Sequence, residues 1–549
     1  MPVVPLSAGA LRRLVGRDVP TAELVERLPE IGGDVAGVEG DAIQMEWFPN
    51  RPDLLTVEGT ARALRAFLGV KPGLPTYEVG KPTTDLKVDP AVAAVRPYAA
   101  LCFVRGVPFD DELVKSTIDA QEKLTLSMGR RRRKVAIGVH DAKGLKGPFT
   151  YTAVGPDEKP FVPLNGTAAQ TPAQILASHP KGQEYGHLIP ATGTKRFPVF
   201  LDGAGQVVSM PPVINAQATA VTAATRDVLL DVTGSDLASV KATIALLATG
   251  FAERGGRIEG VRVHDASGSW VAPDLKPSER ILHADDVSAL LGRAFTGDEA
   301  AACLRRLGHG ATSFDNKVQV QSPAWRFDLL HPVDLVEDVA IGFGYANLPR
   351  ALPKAVHFGG TLPTQGLEDA ARAALTGLGW HEAKTLTLSD PKAQWTNWGE
   401  PEGKAVRLLN PVLQEQTLLR TWLLPSLLGV LAGNRHRSLP QSLFEAGQVA
   451  LPDGKGGWPN RLHLAGAHLA AKANFSDGKG IVLALLRDLR LDATLRPANR
   501  AGFIAGRQAE LVKGGAVVGH LGELHPDTLV AFGLAAPCVA FELDLAAFA

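Results

Sequence analysis

The sequence predicts a multidomain α+β protein. Three observations lead there: the chain runs to 549 residues, strand-like runs and helical spacing alternate along most of it, and the Pro/Gly-rich stretch KPGLPTYEVGKPTT interrupts that pattern at residues 71–84. One hydrophobic core serves roughly 100 to 200 residues, so several domains should be present. Hydrophobic residues are 45% of the chain and charged residues 21%, a balance that supplies several cores and argues against wholesale disorder.

The elements follow in chain order. A small mixed N-terminal domain, residues 1–85, carries helical spacing at 19–28, strands over 35–47 broken at Gly40 and Asp41, and a second helix at 56–68. Residues 71–84 read as a linker at its end. Residues 91–265 alternate strand-like runs, such as 135–139 and 228–232, with loops and a helix at 235–252, which is an α+β pattern. A third unit, residues 271–350, is small and winged in character, with helices at 284–291 and 297–307 and a strand at 317–321. The remainder, 354–549, opens with a helix at 365–378 and ends in Gly-punctuated strands of the AVVGHLGEL type.

Charge and cysteine content exclude several classes. Lys plus Arg and Asp plus Glu both number 57, so any nucleic-acid contact needs a local patch. Cys102, Cys303 and Cys538 lie far apart and form no ligand spacing, so neither a disulfide framework nor a zinc site is expected. No apolar run approaches the roughly 18 residues of a membrane span. The opening MPVVPLSAGALRRLV lacks the basic-then-apolar order of a signal peptide, and a soluble cytoplasmic protein is expected.

The densest candidate site is Asp328, Asp334, Glu337 and Asp338. Pro332 marks a helix start, and the last three acids fall at i, i+3 and i+4 on one helix face. With Asp328 folding back from the end of a preceding strand, an all-oxygen set suited to Mg²⁺ would result. Acids in a first helical turn are equally favoured by the helix dipole with no metal, so spacing alone leaves both readings open. The run Arg130, Arg131, Arg132, Arg133 and Lys134 could grip phosphates or form a solvated loop face. DGKGG at 453–457 has no strand-to-helix context and reads as a hairpin turn; His436 reads as a surface or packing residue. No HExxH pair or nucleophile-elbow pattern supports a protease or lipase.

Two long stretches resemble the β subunit of phenylalanine–tRNA ligase of the archaeal and eukaryotic kind: EWFPNRPDLLTVEGTARALRAFLG at 46–69 and PAWRFDLLHPVDLVEDVAIGFGYANLP at 323–349. Further similar stretches are GRRRRKVAIGVHD, SMPPVIN, LLDVTGSD and LLRTWLLPSLLGVLAGNRHRSLPQSLFEAGQV, so the resemblance spans the chain. It implies a magnesium site at Asp328, Asp334, Glu337 and Asp338, shared with the α subunit. Asp338 stands where many members have Glu, which shortens the reach by one methylene. It also implies an α₂β₂ heterotetramer acting on tRNA(Phe), with ATP a substrate at the α subunit.

The resemblance further implies that residues 91–265 form a proofreading domain and residues 271–350 the domain with the acidic cluster. Phenylalanine and tyrosine differ by one hydroxyl, which an apolar pocket rejects only about 100-fold. A second pocket that hydrogen-bonds the phenol can favour tyrosine instead, and Ser209, Asn215, Asp231 and Thr233 resemble its polar lining. Such residues also occur at turns and strand ends for backbone reasons. Residues 354–549 resemble the antiparallel-sheet fold of class II tRNA ligases without the glycine-rich, arginine-bearing final motif, and read as a catalytically silent copy whose apolar helices pair with α. A self-sufficient metal-dependent hydrolase and a non-catalytic RNA-binding scaffold are the rival readings.

Overall fold

Ile43, Met45 and Trp47 are buried along the strand Ala42–Trp47 while their neighbours are half-exposed, the period of two that a one-sided core imposes. This strand is the middle of an antiparallel sheet between Val3–Ser7 and Gly33–Glu39. Gly40, at φ 60°, supplies the left-handed residue that the turn expected at Gly40 and Asp41 requires. The computed structural model describes residues 3–189, 196–352 and 356–548. Met1 and Pro2, the expected start of the last region at Lys354, and its end at Ala549 lie outside them. The chain divides into two units, Met1–Leu352 and Pro353–Ala549.

In the first unit, helix Ala8–Val15 begins where Ser7 Oγ accepts the Ala10 amide at 3.1 Å, and helix Val57–Phe67 where Thr56 Oγ1 accepts the Gly59 amide at 3.0 Å. The second helix lies so close to the turn Pro52–Leu55 that a Cβ on Gly59 would meet the Asp53 carbonyl oxygen at 1.7 Å. Residues 71–84 are not the free linker their composition suggests. Gly73 donates to the Arg305 carbonyl at 2.7 Å, Val79–Gly80 joins a sheet beside Arg257–Glu259, and Tyr77 donates to Glu253 while its ring meets Trp325 edge-on at 5.7 Å. Burial lifts the Tyr77 hydroxyl to about 12, so it stays a donor. The largest buried core runs from Val4 to Trp325, so the N-terminal and α+β regions share it.

Two sheets build the α+β region. One has five strands in the order Val79–Gly80, Arg257–Glu259, Tyr98–Arg105, Val228–Gly234, Val135–Asp141. Helix Leu237–Glu253 packs on it and is buried on most sides, which is why its sequence is apolar nearly all round. The other has seven strands and ends in Phe197–Leu201, Val207–Met210 and Ile214–Asn215. The third region pairs an antiparallel sheet, Ser278–His283, Lys317–Ser322 and Gly310–Phe314, with helices Ala284–Leu291, Gly297–Arg306 and Pro332–Phe343.

The second unit carries a seven-stranded sheet, antiparallel except at its His381–Glu382 edge. The DGKGG stretch links Gln441–Ala450 to Asn460–Leu469 as a hairpin connection in which Asp453 accepts the Lys455 and Gly457 amides. Helix Leu424–Gly433 turns Leu424, Leu427, Leu428 and Leu431 into its own unit's core, not outward as a partner-facing helix would. Exposed apolar residues of this unit include Leu409 and Val412, 100% and 96% exposed on one loop, and Phe358 and Val530 elsewhere. Among the described residues no helix is long and apolar enough to cross a membrane, and the three cysteines are buried and free.

The contact at Gly59 is backbone against backbone, so no side chain can yield. Gly59→Ala should cost about 3 kcal/mol, read as a lowered midpoint in denaturant unfolding of the first unit.

Candidate functional site

A cavity of about 440 Å³ opens between helix Asp111–Leu126 and the strands of the α+β region. Val114, Ile118, Val139 and Ile214 give it apolar walls, and Ser209, Asn215 and Asp231 bring polar atoms into it. Sheet pairing explains the convergence: Ser209 sits opposite Asn215 on neighbouring strands, while Asp231 lies on the strand Val228–Gly234, between Tyr98–Arg105 and Val135–Asp141. Ser209 Oγ donates to Asp231 Oδ2 at 2.7 Å. No hydrogen bond from a described residue reaches Asp231 Oδ1 or the Asn215 side-chain amide.

Thr233, expected beside them, does not line the cavity. Its hydroxyl and carbonyl accept from Arg96 at 2.8 and 2.9 Å, and this buried arginine goes on to the Arg132 carbonyl at 2.9 Å. Burial lowers Arg96 to about 10, leaving it a cation at neutral pH. Thr233 therefore anchors the arginine-rich loop and is not among the residues lining the cavity.

Sequence reasoning missed His140. Its Nε2 lies 2.8 Å from Asp231 Oδ2 and its Nδ1 2.9 Å from Thr219 Oγ1, both within the buried interior. The residue stands in the VAIGVHD stretch, two positions beyond Gly138, which pairs with Asp231. A Cβ on Gly138 would come within 2.5 Å of both Asp231 Oδ2 and His140 Nε2, so the glycine makes room for that bond. The glycine was the available signal, but the pairing of strands so distant in sequence was not.

The cationic run is divided. Arg130, Arg131 and Arg132 take φ of 47°, 53° and 64°, a left-handed turn rather than the entry to a strand. Arg132 points inward: its Nη1 donates to the Pro212 and Val213 carbonyls at 2.9 Å each, and its guanidinium lies 4.1 Å from the Tyr185 ring centroid. It braces the cavity wall, which corrects its place among phosphate-gripping residues. Arg130, Arg131, Arg133 and Lys134 line a separate open hollow, where Lys134 lies 3.4 Å from Asp236. His436 is exposed.

The acid-rich segment departs furthest from its spacing. Asp328 is in a turn, not at a strand end, and both its oxygens accept from Arg326, at 2.9 to 3.1 Å. Asp338 is buried and accepts from Arg326 and His309 at 2.8 Å each. Burial alone would raise the Asp338 carboxyl, but Arg326 and then His309 outweigh it and hold it far below the usual carboxylate range. Arg51 and Asp53, a buried pair at 2.8 Å, add to the same electrostatic cluster. Asp334 Oδ2 accepts the Leu330 and His331 amides at 2.7 Å, a helix cap, and Glu337 is exposed.

The three helix-face acids therefore do not converge, and among the described residues no group of three or more His, Cys, Asp or Glu side chains could hold a metal. Asp328 and Asp338 do not fit a cation site, because Arg326 already neutralises them. Only Asp334, through its other oxygen, and Glu337 are open to a cation.

Removing one member of a buried ion cluster strands the others. Asp338→Ala should destabilise the first unit by about 3 kcal/mol, whereas Glu337→Ala should stay within about 0.5 kcal/mol, both measured by thermal unfolding. Equal effects would mean that Asp338 is not held in this way.

The B3/4 domain family matches residues 111–257, the tRNA synthetase B5 domain family residues 281–345, and the phenylalanyl tRNA synthetase beta chain CLM domain family residues 348–545. Phenylalanine–tRNA ligase beta subunits from Methanothrix thermoacetophila and Archaeoglobus fulgidus are each 40% identical, the first over 99% of this chain and 100% of its own length, the second over 100% and 99%. A crystal structure of an N-terminal fragment of the Pyrococcus horikoshii phenylalanyl-tRNA synthetase β subunit is 35% identical, with TM-score 0.60, and covers 62% of this chain and 99% of that one. Full-length identity of this order, with all three families in sequence, shows that the chain belongs to the phenylalanine–tRNA ligase β-subunit family.

Proposed function

We propose that this chain works with an α subunit, as an α₂β₂ heterotetramer in the cytoplasm, to charge tRNA(Phe), and that its cavity hydrolyses tyrosine misattached to that tRNA. The observation that carries the proofreading reading is the polar trio Ser209, Asn215 and Asp231 in a cavity with apolar walls. A tyrosyl ring fits such a volume, and its phenolic O–H finds acceptors. A phenylalanyl ring would bury those groups unpaired, costing about 1 to 3 kcal/mol per group, or roughly 5- to 150-fold in selectivity. This is the inverse of the apolar pocket needed for charging, which rejects an added hydroxyl weakly.

Ligation itself is assigned to the α subunit, which would bind ATP. Supporting this, Arg420 in the LLRTWLLP stretch is 1% exposed, and its guanidinium is committed to Glu445 at 2.8 Å, the Thr385 hydroxyl at 2.7 Å and the Gln448 carbonyl at 3.0 Å. A triphosphate needs cations free to meet its charge, and this one is not. The exposed Leu409 and Val412 are the surface we assign to pairing with α. Asp334 and Glu337 are the two residues that could reach a magnesium ion shared with α, where the ion would bridge charge across the interface. Arg130, Arg131, Arg133 and Lys134 are assigned to tRNA phosphates.

In the assembled complex, Asp231→Ala should lower tyrosyl-tRNA(Phe) hydrolysis at least tenfold and let the mischarged product accumulate; unchanged clearance would reject the site. Replacing Asp334 and Glu337 together by Ala should weaken the magnesium dependence of assembly, read by analytical ultracentrifugation with and without chelator. Identical profiles for variant and parent would leave the two acids as helix cap and surface charge.

A further inference from the structure

We infer that His140 is a positioning residue of the proofreading cavity, one that locks the Asp231 carboxylate with Oδ2 held inward and Oδ1 presented to the ligand. The inference rests on the proofreading reading of that cavity. Its basis is the distribution of donors around one carboxylate. His140 Nε2 at 2.8 Å and Ser209 Oγ at 2.7 Å both reach Oδ2, while no described residue donates to Oδ1.

The donor role of Nε2 does not depend on protonation. In the neutral ring, Nδ1 accepts the Thr219 hydroxyl at 2.9 Å and the proton resides on Nε2. In the imidazolium both nitrogens carry protons, and the Thr219 hydroxyl turns to the Ala216 carbonyl at 3.1 Å. Either way Nε2–H points at Asp231. A histidine that merely filled space would have no reason to share its acceptor with a cavity-lining serine, nor to need the vacancy at Gly138.

Rotating the Asp231 carboxylate would break two charge-assisted hydrogen bonds at once in a water-poor interior. The lone pairs of Oδ1 are thereby fixed in direction before a ligand arrives, so little ordering remains to be done on binding. Without His140, the Ser209 hydroxyl alone holds Oδ2, and the carboxylate is free to pivot about that single bond and carry Oδ1 out of line with the ligand. Selectivity for a phenol should suffer more than the stability of the fold.

The test exploits which ring nitrogen a substitute imitates. A Gln side chain places an amide donor near the position of Nε2, whereas Asn places one near Nδ1 and falls short of Asp231. Hydrolysis of tyrosyl-tRNA(Phe) and of phenylalanyl-tRNA(Phe) is measured with the assembled complex carrying His140→Gln, His140→Asn or Asp231→Ala, and folding is followed by thermal melting. The expected result is a Gln variant within about threefold of the parent in the ratio of tyrosyl to phenylalanyl hydrolysis, and an Asn variant lowered about 10- to 100-fold at a similar melting temperature. Equal ratios for Gln and Asn, with Asp231→Ala impaired, overturn the positioning role and leave the proofreading site standing. An unimpaired Asp231→Ala enzyme removes both.

Discussion

Arg326 is the charge around which the first unit is arranged. It is a buried cation whose Nη2 donates to both Asp328 and Asp338, with the Arg51–Asp53 pair close enough to perturb it. Arg62 meanwhile lies 3.9 Å from the ring centroid of Trp325, the residue just before it. The stretches that carry the family resemblance, residues 46–69 and 323–349, thus meet at one buried cluster although they are far apart in the chain. Taking such charges out of water costs several kcal/mol each, and the cluster is tolerable only because each charge has a partner. Their identities are therefore mutually dependent, which gives a physical reason for two such distinctive segments to accompany one another.

Much of the fold was legible because the local signals agreed with the global answer. The turn at Gly40 and Asp41 and the helix Ala284–Leu291 fall where periodicity put them. The linker reading failed at residues 71–84 because Pro and Gly content reports backbone freedom, while Tyr77 and Val79 make contacts that composition does not reveal. At the acid segment the i, i+3, i+4 spacing was correctly read, but charge of the opposite sign decides what carboxylates do. Arg326, inside the same quoted segment, claimed two of the four, and the first-turn amides claimed an oxygen of a third.

The cavity shows the same division between local and non-local information. Ser209 and Asn215 are near in sequence and come together through adjacent short strands. Asp231 and Thr233 share a strand face by period two, so they looked equivalent; only the Arg96 side chain, from another strand's approach, separates them. His140 required the register between Val135–Asp141 and Val228–Gly234, and register is a property of the folded sheet that neither segment contains alone.

The left-handed turn at Arg130–Arg132 divides two surfaces by the width of a single residue. Arg131 faces the open cationic hollow, and Arg132, the next residue, braces the cavity wall by gripping the Pro212 and Val213 carbonyls. Successive Cα atoms stand about 3.8 Å apart, so the outer hollow is separated from the cavity lining by little more than one peptide unit. The shape of the outer hollow and the shape of the chamber beside it are in this way written into the same three residues, and neither can be altered there without the other.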